Sequence, residues 1–328
     1  MSAGVSVVVM TEAGPEVGLG HLRRCQALAA ALSRHGAATS FLVDGIADGA
    51  EPEAVLLGWT RDPETALAVL AGARPDAVIV DSYQAAPDLF ERLRGAAGCV
   101  VAIDDLADRP LPAHVVVNGA LYAARLSYRG AADTTFLLGP EYTLLDPAFG
   151  EAPGRAPDEL VRRVLVTLGG GAVGGVLAEA LAAVRRAVPS AAIDLALGPF
   201  ADACIGAGQG VTPHRRLRSL RDLIRNADLA VTGGGMTLYE CLAAGTPTVA
   251  MCLADNQRLN LDALGGAGLI LRGEPSLEDA IRRAAADPAL RRAMSGSGRR
   301  LVDGRGAQRV ADEIARTCAG AGASRGPR

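Results

Sequence analysis

The stretch ADLAVTGGGMTLYECLAAGTPTVAMCLADNQ, at residues 227–257, shows how this chain folds. A short apolar run predicts a buried strand at 229–232, three glycines lead into a helix near 235–244, and a second apolar strand follows at 248–251. A strand, a helix and a further strand in this order are typical of a βαβ unit with parallel strands.

The same alternation extends along most of the 328 residues. In the first half the predicted elements are strands at 5–10, 39–43, 77–81, 99–104 and 115–118 and helices near 21–35, 62–72 and 86–95. In the second half they are strands at 164–168, 193–197, 229–232 and 248–251 and helices near 173–187, 219–226, 235–244, 256–266, 276–286, 289–301 and 306–317. This order favours parallel sheets in an α/β fold.

The stretch GEAPGRAPDE, at residues 150–159, has the composition of a linker between two similar halves. We therefore expect two α/β domains, at 1–150 and 151–318, followed by a disordered tail of small residues at 319–328. The last predicted helix could cross back to the first domain. In such folds, ligands bind beyond the carboxyl ends of the strands, and the cleft between two halves is the expected site.

The composition excludes several classes of function. Apolar residues make up 49% of the chain and charged residues 21%, which allows a large core. The net charge of −3 offers no basic field for nucleic acid or acidic lipid. All 33 basic residues are arginines, which excludes P-loop, Schiff-base and protein-kinase chemistry that needs a lysine. The six cysteines form no CxxC pair and favour free thiols, and no motif calls for a metal or a cofactor.

The start of the chain lacks the features of a signal peptide, and no apolar run reaches the 18 residues that a membrane span needs. We therefore expect a cytoplasmic protein without a membrane span, as a monomer or a weak homodimer.

The first candidate site follows the first strand, in the sequence GLGHLRRC at 18–25. Gly18 and Gly20 would let the backbone approach a ligand, and the start of the next helix favours an anion, although an ordinary turn has the same pattern. Arg23 stands where a dinucleotide fingerprint needs its third glycine, which argues against NAD. His21 lies on the first helical turn and is a candidate general base, with a purely structural histidine as the alternative.

The second candidate site is the glycine turn of the stretch quoted above. Backbone N–H groups of Gly233, Gly234 and Gly235 and the start of the following helix, at Met236, form a predicted phosphate pocket. Glu240, about one turn into that helix, could accept hydrogen bonds from two ribose hydroxyls or be a solvated helix residue. A similar turn, TLGGG at 167–171, opens the second half.

Other polar residues also follow strands. Asp255, Asn256 and Gln257 suit hydrogen bonds to a sugar, or a helix cap. In the first half the polar strand ends are Asp81 with Tyr83, Asp104 with Asp105, and Asn118. Because adjacent residues of a strand point to opposite faces, at most one of Asp104 and Asp105 is expected to face a ligand while the other braces a loop. The basic run at 214–221 is either a solvated face or an aid to diphosphate binding.

Taken together, the motifs resemble one family. GLGHLRRCQALAAAL at 18–32, DSY at 81–83, IDDLADRP at 103–110, YRG at 128–130, LLGPEYTLLDPAF at 137–149, TLGGG at 167–171 and the stretch at 227–257 occur in that order. They resemble the UDP-sugar hydrolase of pseudaminic acid biosynthesis and its relatives among spore-coat polysaccharide proteins. The second half is also similar to the glycosyltransferase that completes the lipid-linked disaccharide of peptidoglycan. Both resemblances imply a GT-B fold, with two Rossmann-like domains that face each other across a cleft.

The resemblance also implies roles for individual residues. His21 matches the catalytic base, the glycines at 233–235 match the diphosphate loop, and Glu240 matches the ribose-binding glutamate. Leu217 lies near the backbone that grips uracil. The substrate-binding residues expected on this basis are Gly18, Gly20, Arg23, Tyr83, Asn118, Leu217, Gly233, Gly234, Gly235, Met236, Thr237, Glu240, Asp255, Asn256 and Gln257.

The main interpretation is hydrolysis of a nucleotide-diphosphate-linked amino- or deoxy-sugar, with a UDP-sugar favoured. His21 would deprotonate a water that attacks the anomeric carbon with inversion. The alternatives are a glycosyltransferase, in which the acceptor is a small molecule or glycan, and a protein that binds the nucleotide sugar without turnover. The chain has Met236 where the hydrolases commonly have a small hydroxylated residue, and TLGGGAV where they commonly read SFGGSD. These differences keep the nucleotide, the sugar and the reaction open.

Overall fold

The computed structural model describes residues 5–45, 54–150, 156–169, 174–201 and 208–324. The described residues form two compact units. The first contains residues 5–14, the described part of 21–147 and residues 305–324, and the second contains 15–20 and the described part of 148–304. The C-terminal helix therefore groups with the first unit, the return that the sequence left open, although the expected domain limits placed 306–318 in the second domain.

The first unit contains seven strands and four long helices within the described chain. In chain order they are β1 (Ser6–Ala13), α1 (Gly20–Ser33), β2 (Ala38–Gly45), β3 (Ala54–Leu56), α2 (Pro63–Ala73), β4 (Ala77–Asp81), α3 (Pro87–Ala96), β5 (Cys99–Ile103), β6 (Val115–Asn118), β7 (Thr135–Leu138) and, at the C-terminus, α10 (Gly306–Ser324).

The second unit has the same alternation. Its described elements are β8 (Arg163–Thr167), α4 (Gly174–Ala187), β9 (Ala192–Ala196), β10 (Val211–His214), α5 (Arg221–Asn226), β11 (Leu229–Gly233), α6 (Thr237–Ala244), β12 (Thr248–Met251), α7 (Arg258–Gly266), β13 (Leu271–Arg272), α8 (Leu277–Ala286) and α9 (Pro288–Leu301).

Both sheets are parallel throughout. The strand order is β3-β2-β1-β4-β5-β6-β7 in the first and β10-β9-β8-β11-β12-β13 in the second. In each sheet the first strands are added from the centre toward one edge, and the chain then crosses back to the centre and adds strands toward the other edge. The reversal lies between β1 and β4 in the first unit and between β8 and β11 in the second, and ligands of doubly wound sheets bind at this point.

The central strands are buried on both faces, which explains their continuous apolar runs. Every residue of β4, β5 and β6 is buried, and so is every residue of β11. On one face of the first sheet, side chains from alternate positions pack with α2 and α3 around Trp59, Leu70 and Phe90. The core of the second unit similarly combines β8, β9, β11 and β12 with helices α4 and α8.

The sequence pattern did not predict four strands, and all four lie at sheet edges. They are β3 and β7 in the first sheet and β10 and β13 in the second. Edge strands are partly exposed, as in β10, none of whose residues is buried. Without a continuous apolar run they carry little periodic signal.

The C-terminal helix packs on the first unit by close backbone approach. A Cβ atom on Gly306 would lie 2.2 Å from the carbonyl oxygen of Thr143, so only glycine fits at the start of α10. Arg309 Nη1 then donates to the carbonyl oxygen of Glu141 at 3.0 Å. The helix continues to Ser324 through much of the segment that was expected to be disordered, and 325–328 lie outside the described residues.

Candidate functional site

The first candidate site lies where the order of the first sheet reverses. His21 is on the first turn of α1, which follows β1, and Asp81 is the last residue of the neighbouring strand β4. Tyr83 follows two residues later. The sheet register therefore brings His21, which follows β1, close to Asp81 and Tyr83 at the end of β4.

A buried arginine connects the acids of this site. Arg24 forms a bidentate pair with Asp81, with Nε–Oδ2 and Nη2–Oδ1 distances of 2.7 Å. Its remaining nitrogen, Nη1, donates to both oxygens of Asp105 at 2.9 and 2.8 Å. The hydroxyl group of Tyr83 donates to the same Asp105 carboxylate at 2.8 Å. One guanidinium thus holds two carboxylates, with an exposed fraction of 6% for Arg24 and 0% for Asp81.

His21 lies beside this network without being hydrogen-bonded to it. Its Nδ1 atom is 3.8 Å from Asp81 Oδ1 and, although buried, has no hydrogen-bond partner in the described chain. The imidazole ring meets the ring of Tyr83 edge-on, with the centroids 4.6 Å apart and an interplanar angle of 79°. The imidazole ring is therefore held by packing, and its Nδ1 atom lies close enough to the Asp81 carboxylate to feel the charge of that group.

The environment sets the charges of the surrounding groups. Burial works against the charge of Arg24, but the carboxylates of Asp105 and Asp81 raise its pKa well above the ordinary value. Burial also opposes ionisation of Asp81, yet the charge of Arg24 holds its pKa below the ordinary value. Burial, together with Asp105, raises the pKa of Tyr83 far above the neutral range. Near neutral pH the site therefore contains an arginine cation, an Asp81 anion and a neutral phenol.

Asp104 and Asp105 lie just beyond β5, which ends at Ile103, and their side chains bond to different partners. Asp105 bonds to Arg24, whereas Asp104 accepts two backbone N–H groups of the loop that follows β5, at 2.9 and 2.7 Å. Asp104 also accepts the hydroxyl group of Tyr128 at 3.1 Å, and Asn118 donates to that hydroxyl at 2.8 Å. The amide oxygen of Asn118 accepts a backbone N–H. The side chain of Asn118 was expected to face a sugar, but both of its polar atoms form hydrogen bonds within the first unit.

The glycine motif at 18–25 contains one residue that the sequence analysis missed. Gly18 has a φ of +74°, a conformation that favours glycine, and Gly20 begins α1. Arg23, expected to bind substrate, is exposed, while its neighbour Arg24 is buried. Because Arg24 follows His21 by three positions, the two share one face of α1, and this spacing was the available signal.

The second candidate site is the glycine turn at the reversal point of the second sheet. β11 ends at Gly233, and α6 begins four residues later at Thr237. A Cβ atom on Gly233 would lie 2.6 Å from Leu253, and one on Gly234 would lie 2.8 Å from Gln257. A Cβ atom on Gly235 would meet nothing within 4 Å. Close packing therefore demands the first two glycines, and the third faces open space.

Two amide side chains hold this turn. Gln257 Oε1 accepts the N–H groups of Gly234 at 2.9 Å and of Leu253 at 3.1 Å. Asn260 Nδ2 donates to the carbonyl oxygen of Gly234 at 3.2 Å, and Asn260 Oδ1 accepts the hydroxyl group of Tyr239 at 2.7 Å. Both polar groups of Gly234 are thus clamped. Gln257 was expected to face a sugar, yet its oxygen supports the turn.

The clamped turn presents backbone donors at the start of a helix. No hydrogen bond within the described chain uses the N–H groups of Gly235, Met236 or Thr237. Met236 supplies no side-chain cap to α6, and Glu240 lies half-buried in the first turn. Unpaired N–H groups at a helix start, together with the helix dipole, are suited to an anion such as phosphate.

The remaining predicted residues lie on the surface of the second unit. Asp255 and Asn256 are exposed, and Asp255 pairs with Arg258 at 3.0 Å. Leu217 is half-buried between β10 and α5. In the TLGGG motif, Gly169 has a φ of +90°, while the glycines at 170 and 171 lie outside the described residues.

Some classes of site are not found in the parts of the chain that the structure describes. Those residues contain no group of three or more His, Cys, Asp or Glu side chains placed to hold a metal. Five of the six cysteines fall within this part, and all five are free thiols. No helix among the described elements combines the length and apolar character needed to cross a membrane.

Comparison with known sequences identifies two distant relatives and no matching protein-family model. The spore coat polysaccharide biosynthesis protein SpsG of Bacillus subtilis is 22% identical over 326 residues, which cover 93% of this chain and 96% of that protein. An uncharacterized protein of Methanocaldococcus jannaschii is 22% identical over 280 residues, 77% of this chain. The match spans 57% of the length of the archaeal protein.

Comparison with solved structures identifies the fold. The glycotransferase of kitacinnamycin superposes with a TM-score of 0.64 at 20% identity, covering 97% of this chain and all of that one. MurG of Acinetobacter baumannii gives 0.62 at 18% identity, covering 95% and 99%. An Arabidopsis thaliana protein solved with UDP-L-rhamnose gives 0.65 at 12% identity, covering 97% and 100%. The chain has a two-domain α/β GT-B fold, as the resemblance implied.

Proposed function

We propose that this protein is a glycosyltransferase that moves a sugar from a nucleotide-diphosphate donor to an acceptor hydroxyl. The observation that carries the proposal is the clamped turn before α6, whose unpaired N–H groups lie at the reversal point of the second sheet. Of the three similar structures, one is named a glycotransferase and another was solved with UDP-L-rhamnose, and none is named a hydrolase. This favours transfer over the hydrolysis that the motifs implied.

In this proposal the second unit binds the nucleotide. The N–H groups of Gly235, Met236 and Thr237 would hold the diphosphate, and the carboxylate of Glu240 would accept the ribose hydroxyls. The backbone near Leu217 would bind the base. The N–H groups at the start of α6 would stabilise the negative charge that develops on the leaving diphosphate, which lowers the barrier to its departure.

His21 of the first unit would act as general base. Since Nδ1 is buried beside Asp81, the other ring nitrogen, Nε2, would take the proton of the acceptor hydroxyl. The acceptor oxygen forms a bond to the anomeric carbon, and the electron pair of the breaking C–O bond leaves with the diphosphate. Attack opposite the leaving group inverts the anomeric centre. The Asp81 anion near Nδ1 favours the imidazolium that results.

The proposal is tested with a panel of UDP-, dTDP-, GDP- and CMP-sugars. Binding of each donor is measured by calorimetry, and nucleotide release is followed with and without a pool of hydroxylated acceptors. Release that requires an acceptor supports transfer. Release from the donor alone shows that water is the acceptor and overturns transfer in favour of hydrolysis. Binding without release under both conditions would indicate a nucleotide-sugar-binding protein.

A further inference from the structure

The charges of the groups around His21 balance only when His21 is protonated. Two carboxylates, Asp81 and Asp105, share the single guanidinium of Arg24. With a neutral imidazole at His21 the cluster carries one negative charge, and with an imidazolium its charge is zero. Because the cluster is largely buried, these charges act on one another more strongly than they would in water.

Among the described residues, the neighbouring titratable groups Cys25, Tyr83 and Glu12 add no charge to this cluster. On its own helix Cys25 is buried, and burial together with Asp81 raises the pKa of its thiol well above the ordinary value, so it is neutral. The hydroxyl group of Tyr83, on the loop after β4, donates a hydrogen bond to Asp105 and stays neutral because burial and Asp105 raise its pKa. Glu12, at the end of β1, lies one position after Thr11, whose sheet partner is Asp81, so it points to the opposite face and bonds with Gln84 there.

Arg24 also controls how His21 meets Asp81. Because the guanidinium occupies both oxygens of Asp81 in a fork, the carboxylate is oriented along Arg24 and not along the imidazole. His21 Nδ1 is left 3.8 Å away. The charge of Asp81 acts on His21 at this distance, but a direct hydrogen bond, which would hold the imidazolium more firmly, is absent.

We infer that Arg24 and Asp105 are positioning residues that together set the protonation of His21. Arg24 cancels one carboxylate charge and orients Asp81, which keeps His21 free to act as a base. Asp105 restores the negative charge that allows His21 to accept a proton. The catalytic meaning of this inference rests on the proposed function, whereas the protonation of His21 can be measured without substrate.

The two variants predict shifts of opposite sign. Asp105→Asn removes one negative charge, so proton uptake would leave the cluster positive, and the titration midpoint of His21 falls. Arg24→Gln leaves two uncompensated carboxylates, and the midpoint rises. Each shift is expected to be about one pH unit. Arg24→Lys keeps the charge and loses the fork, so it is expected to change the midpoint less than Arg24→Gln.

The experiment follows the histidine ring resonances of the full chain by NMR as a function of pH. The chain has only four histidines, and His21→Gln assigns the relevant signal. His114, which accepts the N–H of Val100 in the same unit, reports whether that unit stays folded. Should Arg24→Gln not fold, Asp105→Asn decides alone, because Arg24 keeps its pair with Asp81 there.

A His21 midpoint that is the same in Asp105→Asn and in the wild type overturns the inference, and so does a shift of the wrong sign. In the active enzyme the acid limb of the pH–rate profile should move in the same direction as the NMR midpoint. If no donor is turned over, the proposed function fails while the NMR result still decides this inference.

Discussion

The Nδ1 atom of His21 lies 3.8 Å from the Oδ1 atom of Asp81, within reach of the carboxylate charge but beyond hydrogen-bonding distance. Both oxygens of Asp81 are held by Arg24 at 2.7 Å. The imidazole is therefore influenced by a charge that another residue orients. A movement of about 1 Å would close the gap to a hydrogen bond.

Replacing His21 with alanine should reduce turnover by about 10²–10⁴-fold, because the acceptor hydroxyl would lose its general base. Affinity for the nucleotide should be unchanged, since the proposed nucleotide site belongs to the second unit. Turnover and calorimetric binding are measured side by side. His35→Ala is the matched control, because His35 pairs with Asp312 on the surface. Turnover of His21→Ala at the wild-type rate would rule out a catalytic role.

Adding a methyl group at Gly234 should lower the free energy of unfolding by about 1–3 kcal/mol, since the new Cβ would overlap Gln257 and lie 3.1 Å from Leu261. Gly235→Ala should leave the free energy of unfolding nearly unchanged, because the new Cβ atom enters open space. Urea unfolding of both variants makes the comparison. Equal losses at the two positions would mean that the turn is not packed as described.

Two substitutions of Gln257 should separate support of the turn from anion binding. Gln257→Glu keeps an oxygen acceptor for Gly234 and Leu253, so stability should be retained, but its negative charge should weaken nucleotide binding. Gln257→Ala removes the acceptor and should reduce both stability and affinity. Unfolding curves and calorimetry test each variant. A Gln257→Glu variant that binds UDP as well as the wild type would place the phosphates elsewhere.

Arg291 should be needed for the stability of the second unit. It is fully buried and donates to four carbonyl oxygens, those of Ala284, Ala285, Asp158 and Glu159. Arg291→Met leaves these oxygens unsatisfied and should lower the free energy of unfolding by about 3 kcal/mol.

The neighbouring residue provides the control for this prediction. Arg292 makes an exposed pair with Glu159, and Arg292→Met should change the free energy of unfolding by less than about 1 kcal/mol. Chemical denaturation at one pH and one ionic strength compares the two. If both variants are equally stable, the buried arginine contributes no more than a surface ion pair.

Much of the fold could be predicted because the signals are local. The runs at 77–81, 115–118 and 248–251 are strands with the predicted limits, and the glycine turn at 233–235 leads into a helix. The four edge strands could not be predicted, since half-exposed strands lack an apolar run. The return of α10 to the first unit was left open, because it depends on the fit between Gly306 and Thr143.

The sequence by itself determined the alternation of elements, the glycine turns and the position of His21 on a first helical turn, because each depends on residues near one another in the chain. Only the tertiary structure decided which side chains meet. Arg24 contacts Asp81 and Asp105 across 57 and 81 residues, and only the parallel register of β1, β4 and β5 brings those acids to one face. The same holds for the clamp on Gly234, whose amide partners come from a separate segment 23 and 26 residues later.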